Sequence, residues 1–225
     1  MTFWIKKLGL TDKPACVYNC DESGLSLVPD TQKILGKKGK RNVYQIISGE
    51  RGVLTTVLPC YNAAGDYIPP LVIYKGKRLV DGLKAHMPPD NLVCVSETGY
   101  LNKELFQTWL KHFKKHLKYP DLPAILILDG HGSLACQSIG GSIQFARENS
   151  ISIIYLPPHT THWTDKCFFK PLKTQFEHEC RKFMRANLGK GIHAPALVHC
   201  LHRHTTRQLR FTWPWKVSEL LGFSF

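Results

Sequence analysis

Ala124-Ile125-Leu126-Ile127-Leu128-Asp129-Gly130-His131-Gly132-Ser133 is the stretch on which the fold turns. Five apolar residues, two of them Ile, follow Pro123 and run into Asp129 and Gly130, the pattern of a strand buried on both faces. Asp129 stands at its carboxyl end, where open α/β sheets gather ligands and chemistry. The plainer alternative has Asp129 closing the turn through its own backbone, as Asp often does. What the rest of the chain places beside it decides between the two.

Downstream, Ser142–Glu148 reads as a short helix and Ile151–Leu156 as a second buried strand, ended by Pro157-Pro158-His159-Thr160-Thr161-His162. Asp165 follows, and Phe168–Leu188 reads as a helix with Leu172, Phe176, Cys180 and Phe183 on one face. Upstream, Asn102–Lys118 carries Leu105, Phe106, Trp109, Leu110, Phe113 and Leu117 at helical spacing, with Asn102 able to cap it. Val53–Cys60 and Tyr67–Tyr74 are β-rich and joined by Tyr61–Asp66, a hairpin whose second strand Pro69-Pro70 should bulge or confine to an edge. Ala15–Cys20 is a short strand expected to end in a turn over Asp21-Glu22-Ser23-Gly24. The order β, β-hairpin, α, β, α, β, α argues an α/β fold, a mixed β-sheet flanked by helices. Residues 1–14 then form a leader, 15–190 the domain, and 191–225, rich in His and without clear periodicity, a tail of uncertain order.

The chain has 225 residues, 43% of them hydrophobic, enough for one sizeable core. It holds no apolar run that could span a bilayer, and its first residues lack the marks of a signal peptide. Eight scattered cysteines without a C-x-x-C pair suit buried thiols of an intracellular protein better than a disulfide framework. Thirty Lys and Arg against 17 Asp and Glu give a net charge of +13, which draws a protein to polyanions, nucleic acid first among them. The charge is clustered: Lys37, Lys38, Lys40 and Arg41 surround Gly39, and Lys75, Lys77 and Arg78 surround Gly76. Both clusters suit phosphate contact, and a solvated loop is the plainer alternative.

Asp21, Asp129 and Asp165 each follow a strand. Mg²⁺ takes hard carboxylate oxygens and keeps several waters, so two or three such residues plus substrate phosphates suffice for a site. Two ions so held activate the attacking oxygen and steady the leaving one at a phosphodiester.

The ordered set Asn19-Cys20-Asp21-Glu22-Ser23-Gly24, Ser48–Gly52, Asn62-Ala63-Ala64-Gly65, Ile68-Pro69-Pro70, Leu128-Asp129-Gly130-His131, Pro157–His162 and Asp165 leading to Phe169–Lys173 resembles the DDE-superfamily endonuclease domain of pogo/Tigger-type transposases and their jerky-like and centromere-protein-B-like domesticated relatives. The resemblance implies an RNase-H-like fold and a two-ion Mg²⁺ or Mn²⁺ site on Asp21, Asp129 and Asp165. It also implies DNA as partner, strand cleavage or transfer in the nucleus, and leaves homo-oligomerisation open. Glu22 is expected to be a neighbour and not a ligand, since successive strand residues point to opposite faces. His131, His159 and His162 are expected at the turn or against substrate phosphate; a zinc site on these histidines with Asp165 lacks a helical H-E-x-x-H context.

The sequence departs from the family at several places. Leu134 stands where a second His is expected, and only Trp163 and Thr164 separate His162 from Asp165, about three residues short of the family spacing. The N-terminal DNA-binding region typical of the family is absent from this chain, which is expected to be a fragment or a degenerating copy. A catalytically inactive, domesticated nucleic-acid-binding or interaction domain is therefore the alternative function.

Counterion release makes phosphate contacts salt-dependent. Replacing Lys37, Lys38, Lys40 and Arg41 by Ala is expected to weaken binding to all DNA sequences alike and to flatten the slope of log affinity against log salt. Titrations over a salt series check this, and unchanged affinity throughout removes the loop from the interface.

Overall fold

The computed structural model describes residues 2–26, 38–39, 54–80, 84, 87, 90–129, 140–156 and 169–187. Lys37, Lys40, Arg41, His131, His159, His162, Asp165 and the tail lie outside these residues.

In chain order the elements are α1 (Thr2–Lys7), a 3₁₀ turn (Pro14–Cys16), β1 (Val17–Cys20), β2 (Ser23–Ser26), β3 (Leu54–Asn62), β4 (Tyr67–Lys75) and β5 (Leu92–Ser96). They continue with α2 (Lys103–Lys115), β6 (Ala124–Asp129), α3 (Gly140–Glu148), β7 (Ile151–Leu156) and α4 (Lys170–Ala186). The strands form one mixed sheet in the order β5-β4-β3-β1-β6-β7, with β2 also on β3. β1, β6 and β7 pair in parallel, as do β4 and β5, and β3 runs against its neighbours. The expected α/β, RNase-H-like mixed sheet flanked by helices is what the chain adopts.

The core divides by face, as the two-residue alternation of strands requires. On one face Tyr18, Cys20, Leu58, Cys60, Leu71, Ile73, Leu126 and Leu128 pack beneath Phe106, Trp109, Leu110 and Phe113 of α2. Trp109, Leu110 and Phe113 are fully buried, each worth about 1.5–3 kcal/mol of burial. Asn102 caps α2, its side chain accepting from Leu105 N at 2.9 Å, as the sequence predicts. The other face carries two separate clusters. Ile5 and Leu10, around α1, pack on Val17, Ile125 and Ile127. Phe169, Phe176, Cys180 and Met184, along α4, pack on Leu25, Val57, Val72 and Tyr74.

The structure corrects one expectation, the turn after Cys20, and adds two elements, β5 and α1. Cys20 is not followed by a turn. β2 resumes the strand in the register of β1, so that Tyr18 faces Asn62, Cys20 faces Cys60, and Ser23 faces Val57. The interruption at Asp21 and Glu22 falls opposite Pro59 and Leu58, and Pro59 has no N–H to give the ladder. Of the two outcomes expected for Pro69-Pro70 the strand takes the bulge: the β3–β4 register shifts between Leu58 and Cys60 where the prolines stand, and β5 covers the far side of β4. β5 carries little signal in the sequence, because Leu92–Ser96 has no clean alternation. α1 is too short to be stable without tertiary support, which Ile5 supplies.

The β3–β4 turn is organised by Asn62, whose Oδ1 accepts from Ala64 N and Asp66 N and whose Nδ2 donates to Ala15 O. Lys118 Nζ donates to Asp66 Oδ2 at 2.8 Å and ties this turn to the segment after α2. Partial burial raises the Asp66 pKa, but hydrogen bonds from Lys118 and Asn62 and the Lys118 charge outweigh it and hold the carboxyl below its ordinary 3.8. The hydrogen bond to Asp66 lifts the Lys118 ammonium above its ordinary 10.5. A lowered carboxylate stabilises above its unfolded pKa and loses this as pH falls through the folded one. A raised ammonium stabilises below its unfolded pKa and loses this as pH rises through the folded one. Both side chains are nearly half exposed, so the pair contributes less than about 1 kcal/mol. Lys118→Met is expected to cost that much at neutral pH, and urea midpoints of variant and wild type should converge both in acid below the Asp66 pKa and in alkali above the Lys118 pKa.

Candidate functional site

Asp21 sits where β1 hands over to β2, half-buried. Its Oδ1 accepts from Glu22 N at 2.8 Å. In the alternation of this strand it stands midway between Val17, in the α1 cluster, and Leu25, in the α4 cluster. Asp21 therefore occupies the seam between the two apolar clusters of that face. Glu22 takes the opposite side, as expected: its Oε1 accepts from Leu101 N at 3.4 Å, the residue just before the α2 cap.

Asp129 is the last residue of β6 and pairs with Leu156 of β7. β6 also pairs in parallel with β1, Leu128 opposite Cys20. The next residue on each strand is Asp129 and Asp21, so the two occupy the carboxyl ends of adjoining parallel strands, whose axes lie about 4.8 Å apart. Asp165, the third aspartate, and His131, His159 and His162 lie outside the described residues. Among the described residues no three His, Cys, Asp or Glu side chains converge.

Asn19 opens the Asn19–Gly24 motif, two residues before Asp21 in the same alternation. It is 4% exposed, and its Oδ1 is buried with no hydrogen-bond partner among the described residues. Polar groups so placed ordinarily find a partner, and an unmet one costs about 1–3 kcal/mol. The signal available in the sequence was an amide inside the apolar run Val17-Tyr18-Asn19-Cys20. The Asp21 carboxylate is a hard oxygen donor of the kind Mg²⁺ or Mn²⁺ takes, and the orphaned amide oxygen beside it on the strand is an acceptor without a partner among the described residues, so the residues fit such an ion with its waters.

Lys75, Lys77 and Arg78 are exposed at the carboxyl end of β4, and Lys38 is exposed as well. Lys77 meets Glu97 at 3.8 Å with both side chains largely in solvent, a pairing that leaves its charge available. Tyr74 faces Thr55, which faces Leu25, so Lys75 stands about 15 Å beyond Asp21 along the strands. The basic tip and Asp21 are thus on one end of the sheet but not in contact.

Cys20 and Cys60, cross-strand neighbours, are fully buried thiols. Burial, with help from Cys60, pushes the Cys20 thiol well above its ordinary pKa and leaves it chemically quiet.

Comparison with known proteins shows the class to which this fold belongs. Residues 51–200 match the profile of the DDE superfamily endonuclease family, and the chain belongs to that family. A curated relative, described as MFS-type transporter clz9 of Cochliobolus lunatus, is 31% identical over 173 residues, which cover 72% of this chain and 18% of that protein. The chain thus spans under a fifth of that relative's length. No described helix is long and apolar enough to cross a membrane. Among solved structures, the Mos1 strand transfer complex superposes with a TM-score of 0.50 at 12% identity, over 92% of this chain and 56% of the Mos1 chain. The Mos1 mariner paired-end complex with Mn gives a TM-score of 0.48 at 12% identity, over 92% of this chain and 57% of that one.

Proposed function

We propose that this domain acts on DNA as the phosphodiester-cleaving and strand-transferring part of a transposase-derived protein of pogo/Tigger type, with Asp21 and Asp129 holding Mg²⁺ or Mn²⁺. The observation that carries the reading is the placement of Asp21 and Asp129 on the ends of adjoining parallel strands in a family of endonucleases. Bound there, the ions supply Lewis-acid polarisation of the phosphodiester and an activated attacking oxygen. The chain's part is to fix the carboxylates on strand ends that cannot drift, because Cys20 and Leu128 immediately before them are fully buried. Lys75, Lys77, Arg78 and Lys38, with Lys37, Lys40 and Arg41, hold the DNA backbone, and His131, His159 and His162 take substrate phosphate. Such chemistry belongs in the nucleus.

The short third motif favours a second reading, in which the domain binds DNA and cuts it poorly or not at all. Three residues of extended chain span roughly 10 Å. Metal ligation tolerates only tenths of an ångström. The helix following Asp165 is tied to the sheet by Phe169 and Phe176 and cannot slide that far. Asp165 then stands outside the metal site, although two aspartates retain an ion.

Two measurements test this. Mn²⁺ or Mg²⁺ is expected to raise the melting temperature of the wild type, and Asp129→Asn to cancel most of the rise, because the ion removes the repulsion of two close carboxylates. Equal stabilisation of both proteins moves the metal site elsewhere. Inserting Gln-Pro-Leu between Thr164 and Asp165 is expected to increase metal-dependent nicking. If the unmodified chain already nicks as fast, and Asp165→Ala abolishes that activity, the third carboxylate is in place and the second reading fails.

A further inference from the structure

Among the described residues nothing gives Asn19 a structural reason to be an amide. Its backbone already pairs with Tyr61 on β3 and Ile127 on β6. The neighbours in its alternation, Val17 and Ile127, belong to an apolar cluster. A Leu or Val there would bury as well and leave no orphan, whereas the Asn19 Oδ1 is buried and unpartnered among the described residues. An acceptor left unmet at such a cost marks a partner that arrives from outside the fold.

The geometry points to Asn19 as a positioning residue for the divalent ion held by Asp21, its Oδ1 accepting a hydrogen bond from the hydration shell of that ion. The inference rests on the metal reading given above and extends it to a residue outside the aspartate set. Residues two apart on a strand lie about 6.6 Å from each other on one face. That is too far for one ion to touch both side chains closely, and a fitting span when a coordinated water lies between. Mg²⁺ gives up its waters reluctantly, so a fixed acceptor for one of them orients the rest of the shell. Supporting contacts of this kind change metal affinity about 10- to 100-fold when removed.

The test uses the full chain and Mn²⁺ alone, without DNA or turnover. Asn19→Leu, close in shape and without an acceptor, is expected to melt at or above the metal-free wild type. Its Mn²⁺ affinity, by calorimetry and by the free-ion paramagnetic signal, is expected to fall about tenfold or more. Asn19→Asp keeps the acceptor and adds a charge near Asp21. It is expected to melt lower without metal and to gain more than the wild type on adding Mn²⁺. If both variants bind Mn²⁺ as the wild type does while Asp21→Asn does not bind, the inference about Asn19 fails and the metal site stands. If the wild type itself binds no Mn²⁺, the metal reading fails and takes this inference with it. Should Asn19→Leu not fold, the amide serves the core and the comparison of Asn19→Asp with wild type decides alone.

Discussion

The parallel pairing of β1 with β6 is the constraint on which the rest depends. It brings Asp21 and Asp129, far apart in the chain, to the same level of one sheet. It also makes β1 a central strand, with β3 on one side and β6 on the other. A central strand has no freedom to shift register, because a one-residue slip would exchange Tyr18 and Cys20 with Val17 and Asn19 between two differently filled faces. The backbone that carries the two aspartates inherits that rigidity. Rigid donors are what a site for a small, geometrically demanding ion requires.

Asp21 is also where three local disturbances coincide. The strand is interrupted, Pro59 stands opposite and withholds a donor, and β4 bulges at the same level beside it. Among the described residues the pairing elsewhere in the sheet keeps a constant register. His112 steadies the bulge from α2 by donating its Nε2 hydrogen to Pro69 O at 2.9 Å. Burial, above all, lowers the pKa of this histidine and keeps it neutral at physiological pH. An irregular stretch at a candidate site, buttressed by otherwise ordinary packing, fits the tendency of bulges to gather beside functional residues.

Much of the fold was legible because its central elements carry strong local patterns. β6 and β7 are uninterrupted apolar runs, and α2 combines a 3.6-residue stripe with an Asn cap. What escaped was decided at a distance. The run Asp21-Glu22-Ser23-Gly24 has the residues of a turn, yet it continues a strand because β3 holds both halves in one register. Of the candidate site, the two aspartates were readable from their places after strands of one sheet, and the parallel β1–β6 pairing sets them at one level. The burial of the Asn19 amide was not legible, because a single amide in a short apolar run carries no period.

The β1–β6 pairing has a consequence for how the protein is made. A ribosome delivers β1 long before β6, whereas the β3–β4 hairpin closes as soon as it emerges. Through that interval β1 has at most β3 beside it, and its other edge exposes unpaired backbone groups along Val17-Tyr18-Asn19-Cys20. Open apolar edges recruit strands from other chains. Synthesis interrupted upstream of Ala124 would therefore yield a polypeptide whose weakness is aggregation through β1, and the native strand β6 serves as the chain's own protection against it.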